Sequence, residues 1–332
     1  MKLVLRGSYP DGHLDYIRQR LTTDWRIEPV DPDVDKAAFA AALADADAVV
    51  AMGWSPAQPP APNLRLLQLP GAGYDRIDFA AVPPNAAVCN VFEHEIGIAE
   101  YVLAGILQWE TWFMRLHNGL RQGSWRDSLF TRGSTHGELF GKTIGIVGYG
   151  RIGQEVAKRA KAFGVTVRAC TRSPRKRDGN VDVIEGMNKL DAMLPDCDYL
   201  LIACPLLTST RGLMDTRRFG LMKEGAVIIN VARGEVIDED ALYAACRDRT
   251  IGGAIIDTWY NYPDSRDPDA VTHPSKHPFQ DLDNVYMSPH SAGWTVGLWP
   301  RRWKVIAENM NRLARGEDLL NKLYEPGGAA PA

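Results

Sequence analysis

The stretch from Lys142 to Gly153 constrains the fold of this chain more than any other part of its sequence. It reads K-T-I-G-I-V-G-Y-G-R-I-G, and the apolar residues 144–147 predict a short buried strand. Gly148, Gly150 and Gly153 then form the pattern G-x-G-x-x-G. In such a turn the first glycine permits a tight bend, the second lets the backbone approach a pyrophosphate, and the third lets a helix pack against the strand. We therefore predict a turn that binds a dinucleotide.

The surroundings of this turn support the prediction. Residues 154–163 have the pattern of a helix, and residues 165–169 predict a second strand. A glycine-rich turn without a ligand is the alternative, but strand, turn, helix and strand in this order form the context that identifies a dinucleotide-binding βαβ unit. The N-terminus of the helix would then face the phosphates.

Strands and helices alternate along the whole chain, which predicts an α/β fold with parallel sheets. Before residue 90, the pattern predicts strands at 3–5, 48–51, 64–69 and 87–89 and helices at 12–21 and 37–43. After the glycine-rich turn, it predicts strands at 199–203, 227–230, 254–257 and 285–287 and a helix at 305–313. We predict two Rossmann/flavodoxin-like doubly wound lobes with the active site in the cleft between them.

The dinucleotide-binding fold lies in the middle of the chain, so the simplest organisation is an inserted domain. We predict a substrate domain at 1–96 plus 294–332 and a dinucleotide-binding domain at 97–293. One long helix is predicted at 94–120, because apolar residues recur there with helical spacing. The residues from 325 to 332 are rich in Pro, Gly and Ala and predict a disordered tail.

Composition argues against several classes of function. The 332-residue chain has a formal net charge of -3, so no basic surface argues for a nucleic-acid partner. Its most apolar run, 96–107, contains Glu100 and is too short to span a membrane. The five cysteines are scattered and form no C-x-x-C pair, which predicts neither a disulfide framework nor a metal site and favours a reducing cytoplasm.

Four further motifs follow predicted strands. They are Gly71-Ala-Gly-Tyr-Asp75, Cys204-Pro-Leu-Leu-Thr-Ser-Thr-Arg-Gly212, Asn230-Val-Ala-Arg-Gly-Glu-Val-Ile-Asp238 and Ser288-Pro-His-Ser-Ala-Gly293. With the glycine-rich turn, their order and spacing resemble the D-isomer-specific 2-hydroxyacid dehydrogenase family over nearly the whole chain, and within it the NADP-type glyoxylate/hydroxypyruvate reductases. The resemblance implies an enzyme that transfers a hydride between NADP(H) and a 2-keto acid/D-2-hydroxy acid pair.

The resemblance also implies roles for particular residues. Arg233 would bind the substrate and polarise its carbonyl, which suits a planar guanidinium, and His290 would be the acid and base, since histidine titrates near neutrality. The alternatives are a surface ion pair for Arg233, a structural role for His290 and a strand-end cap for Asp257. Substrate contacts are expected from Gly71, Ala72, Gly73, Trp54 and His94. Cofactor contacts are expected from Gly148, Gly150, Arg151, Ile152, Gly153, Thr171, Arg172, Ser173, Cys204, Pro205, Thr210, Val231, Ala232, Asp257, His290 and Gly293.

One position departs from the family pattern. The family usually has D-x-F-x-x-E-P, whose glutamate hydrogen-bonds the catalytic histidine, whereas this chain reads Asp257-Thr-Trp-Tyr-Asn-Tyr-Pro263. Tyr262 takes the glutamate position and is expected to orient His290 without stabilising its charge as a carboxylate would. We therefore expect a lower pKa of His290 than is usual in the family, and a less acidic pH optimum for reduction. Asp264 is an alternative partner of the histidine.

The choice between NAD and NADP depends on the end of the second strand of the dinucleotide fold. About 20 residues beyond the glycine-rich turn, proteins that bind NAD carry an acidic residue there. This chain has Thr171 at that position, followed by Arg172, Ser173 and Arg175. Hydroxyl and guanidinium groups suit a 2′-phosphate, so NADP is expected and NAD less so. An exposed basic turn is the alternative.

The nature of the substrate and the partners can be predicted only in outline. Aromatic residues near predicted loop ends suggest a substrate larger than glyoxylate, unless they only pack between lobes or subunits; they include Trp54, Tyr74, Trp294 and Trp299. The long helix resembles the dimer interface of the family, so a homodimer is expected. The rival functions are a non-catalytic dinucleotide-sensing protein and a phosphite-type dehydrogenase. Formate oxidation is not expected, because the formate-oxidising branch has Asn in place of His94 and Gln in place of Tyr262.

Overall fold

The computed structural model describes residues 1–7, 13–173, 177–264, 267, 269–326 and 328. They form two compact units: the described residues of 1–93 and 296–332 make the first, and those of 94–295 make the second. The second unit is thus inserted into the sequence of the first. The first residue of the helix predicted at 12–21, Arg175 and most of the tail predicted at 325–332 lie outside the described residues.

The regular elements are numbered here in chain order. The strands are β1 (Lys2–Arg6), β2 (Arg26–Val30), β3 (Ala48–Val50), β4 (Leu66–Gln68), β5 (Ala87–Cys89), β6 (Thr143–Val147), β7 (Thr166–Thr171), β8 (Val183–Gly186), β9 (Tyr199–Ile202), β10 (Val227–Asn230), β11 (Gly253–Ile256), β12 (Val285–Met287) and β13 (Lys322–Tyr324). The helices are α1 (His13–Arg18), α2 (Lys36–Leu43), α3 (Glu95–Thr111), α4 (Phe113–Arg121), α5 (Arg151–Ala160), α6 (Leu190–Met193), α7 (Thr216–Phe219), α8 (Glu239–Arg247) and α9 (Leu298–Arg315).

The sheet of the first unit has the order β2, β1, β3, β4, β5, β13. Its first five strands are parallel and follow the flavodoxin-like order 2-1-3-4-5. β13 runs antiparallel to β5 at the edge, so this sheet is not parallel throughout. Phe39 and Leu43 of α2 pack on one face, while Ile17 of α1 and Trp303 of α9 pack on the other.

The sheet of the second unit has the order β8, β7, β6, β9, β10, β11, β12, and every pair of neighbours is parallel. The six strands from β8 to β11 follow the Rossmann order 3-2-1-4-5-6. Helices α3 and α5 contribute to the core on one face, and α6 to α8 to the core on the other. The two sheets confirm the predicted α/β class with two doubly wound lobes. In both sheets the motifs singled out above follow the carboxyl ends of strands, where open α/β sheets bind ligands.

The prediction of a single helix at 94–120 is wrong, because the helix is interrupted near its middle. The chain forms α3 and α4 instead, separated by Trp112, whose φ of 52° lies in the left-handed region. The apolar stripe explains the error, because its buried residues belong to α3, whereas α4 buries none of its residues. The apolar pattern of the segment 94–120 therefore identifies α3 but gives no information on where α3 ends.

Three strands carry too little signal for the sequence patterns to predict. β2, β8 and β13 all lie at sheet edges or beside them, and each is only partly buried. An edge strand has one pairing neighbour and a solvated side, so it does not need the continuous apolar run that identifies a central strand. Within the described residues, no helix is both long enough and apolar enough to span a bilayer.

Candidate active site

The glycine-rich turn joins β6 to α5 and has the geometry of a cofactor cradle. Gly148 has a φ of 100°, and a Cβ atom built there would lie 2.7 Å from the backbone of Ala203. A Cβ atom at Gly153 would lie 2.5 Å from the carbonyl oxygen of Gly148. At Gly150, by contrast, a Cβ atom would meet nothing within 4 Å, so the backbone faces open space. Because α5 begins at Arg151, its N-terminal N–H groups face that space, which fits a bound pyrophosphate.

The end of β7 carries the residues predicted to read the ribose. Thr171 is the last residue of the strand and is partly buried, while Arg172 and Ser173 after it are exposed. The Asp178 carboxylate accepts a hydrogen bond from the hydroxyl of Tyr149, a residue of the glycine-rich turn, at 2.9 Å. This hydrogen bond holds the Asp178 carboxylate beside the side chain of Tyr149.

The segment after β9 is stabilised by hydrogen bonds between its own residues. The Thr210 hydroxyl donates to the carbonyl oxygen of Pro205 at 2.7 Å and accepts from the N–H of Leu207 at 2.8 Å. Cys204 and Thr210 are buried. Burial raises the pKa of the Cys204 thiol to about 11, so it stays protonated at neutral pH. These side chains shape the loop, and any cofactor contact from them would come through its backbone.

Arg233 follows β10 and is held by the residue that ends this strand. The buried Asn230 donates from Nδ2 to the carbonyl oxygen of Arg233 at 2.9 Å and accepts from the N–H of Ala232 at 3.0 Å. A Cβ atom at Gly234 would collide with the carbonyl of Trp259, so this glycine lets the loop of Arg233 approach the segment after β11. Val231 and Ala232 are buried beneath the loop.

Asp257 follows β11, is 2% exposed, and organises the loop that carries His290. Its Oδ1 accepts hydrogen bonds from the hydroxyl of Ser288 and from the N–H of Ser291, the latter at 2.8 Å. Its Oδ2 accepts from the N–H of Ala292 at 3.1 Å. His290 lies inside this clamp with a φ of 56°, an uncommon backbone conformation for a residue other than glycine.

Tyr262 lies beside His290 in an arrangement that the family pattern does not predict. The two rings have centroids 5.5 Å apart and are tilted by 53°. The Tyr262 hydroxyl accepts a hydrogen bond from the N–H of Trp259 at 3.1 Å. In the part of the chain that the structure describes, no hydrogen bond joins this hydroxyl to the imidazole. Tyr262 thus presents the side of its ring to His290, rather than the polar atom that a glutamate would present.

Partial burial lowers the affinity of His290 for a proton. Surrounding protein atoms partly desolvate the imidazole, although it reaches solvent, and this lowers the pKa of His290 below the usual value of histidine. The Asp257 carboxylate acts in the opposite direction on this pKa, and the Arg233 guanidinium lowers it. Partial burial likewise raises the pKa of Tyr262, so its phenol is neutral.

His94 lies immediately before α3, next to the loop of His290. A Cβ atom at Gly293 would lie 3.3 Å from the Cβ of His94, so this glycine permits the close approach. The following residue, Glu95, is buried, and its carboxylate oxygens lie 3.8 Å from the Nδ1 of His94 and 3.8 Å from a guanidinium nitrogen of Arg151. The beginnings of α3 and α5 therefore place His94 and Arg151 around one carboxylate.

The loop 71–73 in the first unit is fixed by a buried amide. Asn90 is buried, and its Nδ2 donates to the carbonyl oxygen of Ala72 at 2.8 Å. The N–H of Val91 donates to the carbonyl oxygen of Gly71 at 3.3 Å. Gly73 is exposed at the tip. With two of its carbonyls occupied, the loop has backbone N–H groups to offer to an anion.

Trp54 does not form the aromatic rim that the sequence suggests. Its indole is 3% exposed, belongs to the hydrophobic core of the first unit, and donates from Nε1 to the carbonyl oxygen of Ala81 at 3.0 Å. Trp299 stacks on Trp303 in the same unit. Trp294 in the second unit is 65% exposed. The sequence identifies the ends of strands correctly but cannot tell which way a tryptophan points from them.

Sequence reasoning missed three residues that hold the site in place: Asn230, Ser288 and Tyr101. Asn230 and Ser288 stand inside recognised motifs, so a polar residue beside a buried strand end was a usable signal. Tyr101 gives no local signal, because it bonds Ser288 across 187 residues of sequence.

Among the described residues, no group of histidine, cysteine and acidic side chains could hold a metal ion.

Comparison with known proteins identifies the family. The family model described as D-isomer specific 2-hydroxyacid dehydrogenase, NAD binding domain, matches residues 103–292. The chain belongs to this family. It is therefore an oxidoreductase, and the family accounts for the nucleotide-binding fold described above without deciding between NAD and NADP.

Individual relatives differ in name and in length. The chain is 31% identical over 268 residues to the D-3-phosphoglycerate dehydrogenase of Methanocaldococcus jannaschii, covering 80% of this chain but only 48% of that protein. It is 32% identical over 271 residues to formate dehydrogenase 2 of Oryza sativa, covering 80% and 68%. It is 27% identical over 333 residues to the glyoxylate reductase of Thermococcus kodakarensis, covering 97% and 96%.

Solved structures show the same fold over nearly the whole chain. The 2-hydroxyacid dehydrogenase from Ketogulonicigenium vulgare has a TM-score of 0.78 at 24% identity and covers 98% of both chains. The NADPH-dependent glyoxylate/hydroxypyruvate reductase from Sinorhizobium meliloti, a complex with NADP and sulfate, has a TM-score of 0.76 at 21% identity and covers 97% of both. The NAD-complexed D-isomer specific 2-hydroxyacid dehydrogenase from Lactobacillus delbrueckii has a TM-score of 0.78 at 20% identity, covering 98% of this chain and 100% of that one.

Proposed function

We propose that this enzyme interconverts a 2-keto acid and a D-2-hydroxy acid with NADP(H) as the hydride carrier. The observation that carries the proposal is that the segment after β11 contacts both the loop of Arg233, at Gly234, and the loop of His290, through Asp257. The charge of Arg233 acts on the imidazole and lowers its pKa. A fixed cation beside a titratable imidazole is what the reduction of a keto acid needs. The cation holds the carboxylate and polarises the carbonyl, and the imidazole moves a proton at the oxygen.

In this proposal each residue has one task. Arg233 binds the substrate carboxylate through its planar guanidinium and polarises the carbonyl by stabilising negative charge on its oxygen. His290 donates its proton to that oxygen during reduction and takes it back during oxidation. The N–H groups of the loop 71–73 are suited to an anion, and His94 contributes a further substrate contact. When bound, the nicotinamide cofactor supplies or accepts the hydride at the substrate C2 atom.

The cofactor preference is part of the proposal. The open backbone at Gly150 and the start of α5 support pyrophosphate binding, and Thr171, Arg172 and Ser173 support a 2′-phosphate over a bare hydroxyl. A carboxylate at the end of β7 would repel such a phosphate, and Thr171 offers a neutral hydroxyl instead. Solved relatives include both an NADP complex and an NAD complex, so the family allows either choice.

The proposed assembly is a homodimer in a reducing cytoplasm. The segment from α4 to β6 exposes large apolar side chains, which a second copy of this chain would cover: Phe113, Met114, Leu120, Trp125, Leu129, Phe130 and Phe140. The five cysteines are free and buried, which fits a reducing compartment.

The test is consumption of NADPH and of NADH by the purified protein with glyoxylate, hydroxypyruvate, pyruvate, 2-ketoisocaproate and phenylpyruvate. We expect turnover with NADPH, with the bulky acids among the substrates. Turnover with NADH alone would reject the reading of Thr171 and Arg172. Tight cofactor binding without turnover on any acid would favour a dinucleotide sensor, and phosphite oxidation would favour a phosphite-type dehydrogenase.

A further inference from the structure

We propose that Tyr101 and Ser288 are positioning residues, which together with Asp257 form a buried side-chain relay that holds the loop of His290 in its working conformation. This inference rests on the proposed function, because it assigns His290 the proton transfer. It concerns two side chains to which the sequence motifs assign no role: Ser288 inside the histidine motif, and Tyr101 outside every motif. One of them lies in a helix far away in the sequence.

The hydrogen-bond directions in the relay follow from chemistry. An ionised carboxylate only accepts hydrogen bonds, so Ser288 must donate its single hydroxyl proton to Asp257. The Ser288 Oγ and the Tyr101 hydroxyl are 2.6 Å apart, and either could be the donor on distance alone. Since the serine proton is already committed, Tyr101 donates to Ser288. The chain of donors therefore runs from Tyr101 through Ser288 to Asp257.

The same loop is held at several further points. The Asp257 carboxylate also accepts from the N–H groups of Ser291 and Ala292, which follow His290 directly. The indole Nε1 of Trp259 donates to the carbonyl oxygen of Ser288 at 2.8 Å. His290 is thus flanked on both sides by residues whose backbone or side chain is hydrogen-bonded to the segment after β11.

The backbone of His290 explains why such a clamp is needed. Its φ of 56° costs free energy for a residue that has a Cβ atom, and such conformations persist only where the surroundings enforce them. The groups that act on the charge of the imidazole are Asp257 and Arg233, and the Tyr262 ring lies against it. With a phenol in place of the family glutamate, the orientation of His290 depends on the backbone clamp. The relay from Tyr101 completes that clamp from α3.

The experiment compares Ser288→Ala, Ser288→Thr and Tyr101→Phe with the wild-type chain. Tyr199→Phe is the matched control, because the Tyr199 hydroxyl is also buried and also makes a 2.6 Å hydrogen bond, to Glu110, away from this site. For each protein, steady-state kinetics give kcat and the KM for NADPH, thermal unfolding gives stability, and NMR titration of the imidazole signals gives the pKa of His290.

We expect Ser288→Ala and Tyr101→Phe each to lower kcat by about tenfold, because a small misplacement of a reacting group is costly, while the KM for NADPH stays unchanged. The pKa of His290 should rise toward its ordinary value in both, since a looser loop lets more water reach the imidazole. Ser288→Thr keeps the hydroxyl and should retain kcat. Tyr199→Phe should lose stability but keep both kcat and the pKa of His290.

Two results would overturn the inference. One is a kcat in Ser288→Ala and Tyr101→Phe no lower than that of the Tyr199→Phe control. The other is an unchanged titration of His290 in both variants. If no keto acid turns over in the wild-type chain, the proposed function fails but the NMR titration still decides whether the relay sets the environment of His290.

Discussion

A cation, Arg233, and an anion, Asp257, both act on the imidazole of His290, and the ring of Tyr262 lies beside it. Desolvation and Arg233 lower its pKa, while Asp257 acts to raise it. Tyr262 adds neither a charge nor, among the described residues, a hydrogen bond to the ring. At the scale of single residues, Tyr262 takes the place of the family's glutamate but, in the described part of the chain, does not hydrogen-bond the imidazole. The orientation of His290 therefore depends on the loop that carries it.

The lowered pKa of His290 gives a pH dependence with a definite sign. Reduction needs the protonated imidazole, so kcat/KM for reduction should fall as the pH rises through this lowered pKa, whereas oxidation should gain over the same range. The expectation of a less acidic optimum for reduction therefore had the wrong sign, because a lower pKa moves the protonated form to lower pH. Steady-state kinetics of reduction and oxidation over a range of pH measure this dependence. A reduction rate that increases with pH would reject this assignment of His290.

Substitution of Tyr262 separates the effect of its ring from that of its hydroxyl. Tyr262→Phe keeps the ring beside His290 but leaves the N–H of Trp259 without its acceptor, which should cost about 1 kcal/mol of unfolding free energy. Activity should be retained, whereas Tyr262→Leu should lower kcat because the ring contact is gone. Urea unfolding and steady-state kinetics measure both effects. If the phenylalanine variant loses as much activity as the leucine variant, the hydroxyl itself is required.

At the scale of elements, we expect two glycines of the turn between β6 and α5 to have different roles: Gly148 is needed for folding and Gly150 for cofactor binding. A methyl group at Gly150 meets open space, so Gly150→Ala should leave stability nearly unchanged and weaken cofactor binding, since the Cβ atom lies where the pyrophosphate approaches. The matched change Gly148→Ala should cost at least about 1 kcal/mol, because its φ is left-handed and the backbone of Ala203 lies 2.7 Å away.

Unfolding midpoints and fluorescence titration with NADPH distinguish the two glycines. We expect the Gly150→Ala protein to unfold like the wild type and to bind NADPH more weakly. An unchanged affinity for NADPH in this variant would mean that the cofactor does not approach the turn at this point.

The elements also show what the sequence can and cannot predict. The interior strands β5 and β10 have the predicted bounds, because a strand buried on both faces needs an uninterrupted apolar run. The edge strand β12 also has its predicted bounds. The edge strands β2, β8 and β13 and the break at Trp112 escaped prediction, since pairing partners and a left-handed residue leave little trace in a local pattern. The relay from Tyr101 escaped for the same reason, because it depends on contacts between distant parts of the chain.

At the scale of the whole molecule, the proposed dimer predicts where association can be broken. Leu129 and Phe130 are 88% and 84% exposed on the segment after α4, so replacing both with glutamate should turn a dimer into a monomer. Val34 in the first unit is 86% exposed and outside this segment, so Val34→Glu is the matched control and should leave the dimer intact. Light scattering during size-exclusion chromatography measures the mass. A wild-type chain that elutes as a monomer would contradict the proposal.

The central claim is that this chain reduces 2-keto acids with His290 as the acid. The most direct measurement is keto-acid-dependent NADPH oxidation by the wild-type enzyme and by His290→Asn, with NADPH affinity measured for both. We predict turnover by the wild type, a loss of about 10³-fold in kcat for the variant, as expected when a general acid is removed, and NADPH binding by both proteins. Equal turnover by the two proteins, or none by the wild type while NADPH binds tightly, would contradict the claim.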